Sequence, residues 1–202
     1  MKNLTPSAIA LAVLVAVPFA ASAESTFQST TGGGALTAQA HVDFRINIPK
    51  VLFLQVGTGT LYGNNSAVEL IDFTVPAANV GDGNAVAATG GDLGSGVVTA
   101  RVRGNGGNVA LTASTGGALS NGSGSSISYG QITTASDNAS LAAPVLADGA
   151  SGTVTVAANG FGVVSQDAQW TYSYENDNVV PGGTYGGVNT NNGRVTYTAS
   201  LP

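Results

Sequence analysis

Cysteine is absent from this 202-residue chain, and histidine and tryptophan occur once each, as His41 and Trp170. Without thiols there are no disulfide staples, cysteine nucleophiles or thiolate metal sites. The fold must be held by core burial and backbone pairing alone, which a domain of this length can supply. Charge is nearly as scarce: six Lys and Arg stand against eleven Asp and Glu, a formal net charge of −5. Nucleic-acid binding rests on many cationic contacts to phosphate. Here the closest cations are Arg101 and Arg103, with no basic cluster around them, so nucleic acid is not an expected partner.

Long apolar runs are missing everywhere except the start. MKNLTPSAIALAVLVAVPFAASA has one cation, Lys2, an apolar core over 8–17, Pro18, and small residues at Ala21 and Ala23. That pattern is expected of a secretory signal peptide, residues 1–23, cleaved before Glu24. A membrane anchor needs about 20 apolar residues, and this core is shorter. The mature chain is therefore expected to be exported, to periplasm, cell surface or medium, and to carry no transmembrane segment. Residues 24–37 form a flexible Ser/Thr/Gly-rich lead, and 38–202 a single domain.

What the chain does have is glycine, 29 residues, clustered between short segments of period-2 alternation. In HVDFRINIPKVLFLQVG, Val42, Phe44, Ile46 and Ile48 alternate with His41, Asp43, Arg45 and Asn47. One face is apolar and the other holds the charge, as in a half-buried strand, and the segment is expected to found the fold. Pro49 ends it, and 51–56 continues as a more buried run. The alternation returns at 71–75, 98–103, 109–113, 154–156, 170–174 and 195–201. Gly104-Asn105-Gly106-Gly107 between two of these segments predicts a hairpin over 97–114. Residues 116–150 read as loop-rich. No segment after residue 23 shows capped 3.6-residue periodicity. The expected fold is all-β, two antiparallel sheets packed as an immunoglobulin-like sandwich, with a closed barrel as the alternative.

Candidate chemistry is thin. His41 and Asp43 share a strand face, but no G-x-S-x-G elbow accompanies them, and solvated polar neighbours explain both. Glu69 with Asp72, and Glu175 with Asp177, are acids near turns, where carboxylates bond local backbone. No catalytic set is assigned and an enzyme is not expected. Asp82, Asn84 and Asp92 offer oxygen ligands to calcium in a Gly-rich loop, without the EF-hand spacing, and Tyr174-Glu175-Asn176-Asp177-Asn178 is a second candidate; an Asx-stabilised turn explains either loop, and no cofactor is assigned. Trp170 and Tyr185 could contact a glycan, although aromatics alternating along a strand usually belong to a core.

The stretch QWTYSYENDNVVPGGTYGGVNTNNGRVTYTASLP runs from an aromatic strand through a Pro-Gly turn to a final alternating strand. It resembles the closing hairpin of bacterial exported pilin-like and spore-coat-U-like β-sandwich proteins, and 24–48 is similar to their opening segment. The resemblance implies a non-enzymatic secreted or cell-surface structural protein, a fimbria-like or matrix subunit assembling by β-strand addition. Its partners would be itself or a related subunit, with an export chaperone. Leu36, Ala38, Ala40, Val42, Phe44, Ile46 and Ile48 would then form the assembly strand. Two alternatives remain at this stage. Residues 40–48 could be the first strand of a self-complete domain, and the protein could be an exported carbohydrate- or small-ligand-binding sandwich module.

Overall fold

A computed structural model describes residues 24–202; the expected signal peptide lies outside them. The chain divides into two units, one ending at Ile48 and a compact body over Pro49–Pro202. No helix among the described residues is long and apolar enough to cross a membrane.

The body is all-β. Its strands are β1 (Leu52–Val56), β2 (Ile71–Asp72), β3 (Val86–Ala87), β4 (Thr89–Gly90), β5 (Val97–Gly104) and β6 (Val109–Thr115). They continue as β7 (Leu119–Ser120), β8 (Ser126–Ile127), β9 (Ile132–Ser136), β10 (Val154–Val156), β11 (Val164–Tyr174) and β12 (Val195–Ser200). Two antiparallel sheets dominate. The larger runs β1-β5-β11-β3, with β9 also on β11, and the smaller runs β10-β6-β12. The longest ladder joins β5 to β11 from Val97↔Thr171 to Gly104↔Val164.

Alternation explains why these segments are strands. Along β5, Val98, Ala100 and Val102 are buried, and along β6 so are Val109, Leu111 and Ala113. The same core cluster takes Val156 from β10 and Val164, Ala168, Trp170 and Tyr172 from β11. One apolar core is thus shared by both sheets, each contributing alternate residues. Trp170 is fully buried, its Nε1 donates to the Leu141 carbonyl at 3.0 Å, and its ring lies 5.3 Å from Tyr197.

Three expectations change. Residues 97–114 are not a hairpin, because β5 pairs with β1 and β11, whereas β6 pairs with β10 and β12. The turn carries the chain from one sheet to the other. For the same reason β11 and β12 do not form a closing hairpin. Alternating segments joined by a Gly-rich turn suit either lateral pairing or stacking across a core, since both bury every second residue. The third change concerns 40–48. Residues 24–48 carry no strand, and the apolar face expected in a core is open to solvent: Val42 is 74% exposed, Phe44 88%, Ile46 84% and Ile48 78%. Period-2 patterning states what a strand would bury but not which chain supplies the cover.

Replacing Trp170 or Leu111 with Ala should cost about 3–5 kcal/mol. Val145, 80% exposed, should tolerate Ala within about 0.5 kcal/mol. Urea unfolding curves of the three variants check the contrast.

Candidate functional site

A groove of about 1070 Å³ opens in the body, just above the ~300–1,000 Å³ usual for small-molecule sites. Two of its sides are strand edges. β1 contributes Phe53–Val56 and β12 contributes Val195–Tyr197. β1 pairs only with β5 and β12 only with β6, so each leaves one edge without a ladder among the described residues. The two strands meet where Lys50 Nζ donates to the Pro202 carbonyl. The groove opens towards their other ends.

The floor is aromatic and aliphatic. Tyr129, Val98, Tyr172 and Tyr197 line it together with Ile132 and Leu146. The hydroxyls of Tyr172 and Tyr197 share a hydrogen bond of 2.8 Å. Burial pushes the Tyr172 hydroxyl up to about 12, and burial together with the neighbouring Tyr172 raises Tyr197 well above the ordinary tyrosine range. Both stay neutral, and the charged side chains lining the groove are Glu69, Asp72 and Arg194. Leu70, Ile71, Phe73 and Val75 line a further wall. Only Ile71 and Asp72 of that wall pair, with Gly90 and Thr89, so it is an extended segment with little sheet support.

The rim is tied down by a polar knot. Asn176, buried with φ +56°, accepts from Gly81 N–H at 3.0 Å. It donates to the Asn79 carbonyl at 2.7 Å and to Asp82 Oδ1 at 3.1 Å. Asn79 and Asn84 side chains both donate to Asp82 Oδ2, and Asn84 N–H donates to Oδ1. These bonds, that from Asn79 first, hold the Asp82 carboxyl down at about 2. Asp92, the other acid weighed as a calcium ligand with Asp82 and Asn84, accepts instead from Thr99 N–H at 2.8 Å. Among the described residues no three His, Cys, Asp or Glu side chains gather as a metal cluster.

The remaining sequence candidates separate. Trp170 has no exposed ring face and cannot stack on a sugar. Tyr185 lines the groove and its hydroxyl donates to the Pro181 carbonyl at 2.7 Å, so the pair expected to contact a glycan does not form a platform. His41 Nδ1 lies 2.9 Å from Glu24 Oε2, both exposed. Glu69 accepts from Thr58 N–H at 3.1 Å, a loop contact as turn acids usually make.

The sequence marks Asn105 only as a turn residue, yet it anchors the start of β1. Its Oδ1 accepts from Val51 N–H at 2.7 Å, its Nδ2 donates to the Pro49 carbonyl at 2.8 Å, and its backbone N–H donates to the Val51 carbonyl at 3.4 Å. The side chain thus bonds the backbone immediately before β1, at Pro49 and Val51. Comparison with family models, curated proteins and solved structures finds no match to this chain.

The lowered Asp82 carboxyl has a definite sign. A carboxyl with a depressed folded-state pKa adds stability that is present above about pH 4 and lost as pH falls through about 2. Asn79→Ala should move the Asp82 midpoint upward towards 3.8, its ordinary value. Carboxyl NMR titration checks this, and an unmoved midpoint would show that the knot is not what holds it.

Proposed function

We propose that the protein is a non-enzymatic surface subunit that assembles by β-strand addition. In this reading the body is an immunoglobulin-like sandwich short of one strand, exported and built into a fimbria-like or matrix polymer. Segment 36–48 of a second copy fills the groove. The observation that carries the reading is a mismatch within one chain. An alternating segment exposes Val42, Phe44, Ile46 and Ile48, while the body holds an apolar groove between two free strand edges.

The physics favours a strand over a small ligand. Extended backbone can pair with β12 or β1, giving main-chain hydrogen bonds, while every second side chain enters the groove. Burying each of those four side chains is worth about 1.5–3 kcal/mol. That sum is comparable to the ~4–15 kcal/mol cost of association, so the added ladder tips the balance. The outward face would carry His41, Asp43, Arg45 and Asn47, which remain solvated. The smaller sheet, three strands against five, is the one that would gain a fourth. A free subunit would expose both halves of this pairing, which suits an export chaperone that covers the groove before assembly.

Surface material sheared from the native host and run unboiled on a denaturing gel should give a ladder that collapses on boiling. Phe44→Asp places a charge in the groove and should remove the ladder while leaving the monomer's urea midpoint unchanged. A parent protein that runs only as monomer, or a Phe44→Asp variant with a full ladder, overturns the assignment.

A further inference from the structure

On that reading, the groove has two competing occupants, the chain's own segment and that of a neighbour. A strand tethered to its own body has an effective concentration of ~1 mM, well above that of a neighbour in the micromolar range. Left free to turn back, 40–48 would fill its own groove and no polymer would form. We infer that the connector Pro49-Lys50-Val51, pinned by Asn105, is a register lock that bars self-insertion and directs the segment to a second copy of the chain.

Three residues separate Ile48 from Leu52, so the shortest return is a hairpin onto the free edge of β1. In such a hairpin, residues opposite one another share a face, and a slip of one residue exchanges the faces. Leu54 and Val56 are the β1 side chains packed on the core. A two-residue turn at Pro49-Lys50 would set Arg45 opposite Leu54 and Asp43 opposite Val56, sending charge into the groove. Moving that two-residue turn by one position in either direction preserves this wrong parity.

Only odd loops bring the apolar face inward, and the sequence blocks the short ones. A loop of 49–51 would set Ile46 opposite Leu54 and Phe44 opposite Val56. Three-residue hairpin loops place their last residue in the left-handed region, here Val51, where a β-branched side chain is a genuine outlier. Val51 does not have positive φ; instead it holds Asn105 through both its N–H and its carbonyl. A loop of 48–50 would put Pro49 at the middle position, forcing Ile48 out of the helical conformation that the turn requires. Of the three-residue loops with the correct parity, 49–51 is closed by Val51, 48–50 by Pro49, and 47–49 by Pro49 again, whose ring excludes the left-handed last position; 50–52 would draw Leu52 out of its pairing with Gly104. Asn105 holds the connector extended against each.

The test uses full-length variants and a synthetic peptide of residues 38–48 as probe. Parent protein, boiled to monomer and refolded in dilute solution, should take up the peptide. Val51→Gly combined with Asn105→Ala allows the left-handed residue and frees the connector. It should close on itself, lose the gel ladder and cut peptide uptake roughly 100-fold, the ratio of a ~1 mM tethered strand to ~10 μM peptide. Val51→Gly alone, at a side chain 40% exposed, should shift in the same direction by a smaller factor. Pro49→Asn with Lys50→Gly installs a strong two-residue turn of the wrong parity and should remain open, binding peptide like the parent. The inference is overturned if the Val51 variants keep the parent's ladder and uptake, or if the Asn-Gly variant closes. Absence of uptake by the parent itself would instead remove the strand-addition reading on which the lock depends.

Discussion

The packing of β11, a strand of the larger sheet, against the smaller sheet through Trp170 is the contact on which the rest of the body depends. Trp170 sits opposite Val98 of β5 and Ser136 of β9, so its strand is paired on both sides at that point. Its indole fills the space between the sheets, and its one polar atom is satisfied by Leu141, as a buried N–H requires. Tyr197, from the other sheet, rests on the indole and bonds Tyr172. The groove floor is therefore the outer surface of the core itself. This explains how a chain without disulfides can keep so large an opening: the wall behind it is its best-packed region.

Much of the fold can be read along the chain. β5, β6, β10 and the second half of β11 fall on alternating segments whose buried residues are the apolar members, and β12 alternates between half-buried and exposed; β1, expected as a more buried run, instead exposes Leu52 and buries only the polar Gln55. What the pattern omits is which strand lies beside which. Val98 to Val102 and Val109 to Ala113 look like the two arms of a hairpin, yet they face each other across the core from different sheets. The decision rests on long-range pairing with β1, β11, β10 and β12, and no local signal carries it. The groove was hidden for the same reason, since its lining reaches from Phe53 to Tyr197. Asn105 reads along the chain as a turn residue, and Asn176 as part of a turn or calcium loop, because their roles appear only when residues 54 and 95 positions away are brought beside them.

The N-terminal segment is the reverse case. Its pattern is the clearest in the chain, and it is the one segment with such a pattern that buries nothing. Local preference and the structure of the single chain disagree there, and natural sequences tend to concentrate such conflicts at sites of function. On the proposed reading the conflict disappears in the assembled state. Pattern and partner agree, but between two molecules rather than within one. Pro49 and Val51 then acquire a role that neither burial nor charge suggests, because they restrict where the chain can turn.

The shortness of the connector also has a mechanical consequence. Three residues reach at most about 10 Å, so in a polymer consecutive bodies could have almost no slack between them. Tension along the fibre would pass from a seated strand through Pro49 directly into β1. That strand is joined to β5 by a ladder from Leu52↔Gly104 to Val56↔Ala100, whose hydrogen bonds run perpendicular to the strands. A pull along β1 therefore loads those bonds together in shear instead of peeling them one after another. Each joint would yield as a unit, and a fibre of this design would resist stretching better than its sparse charge and missing crosslinks suggest.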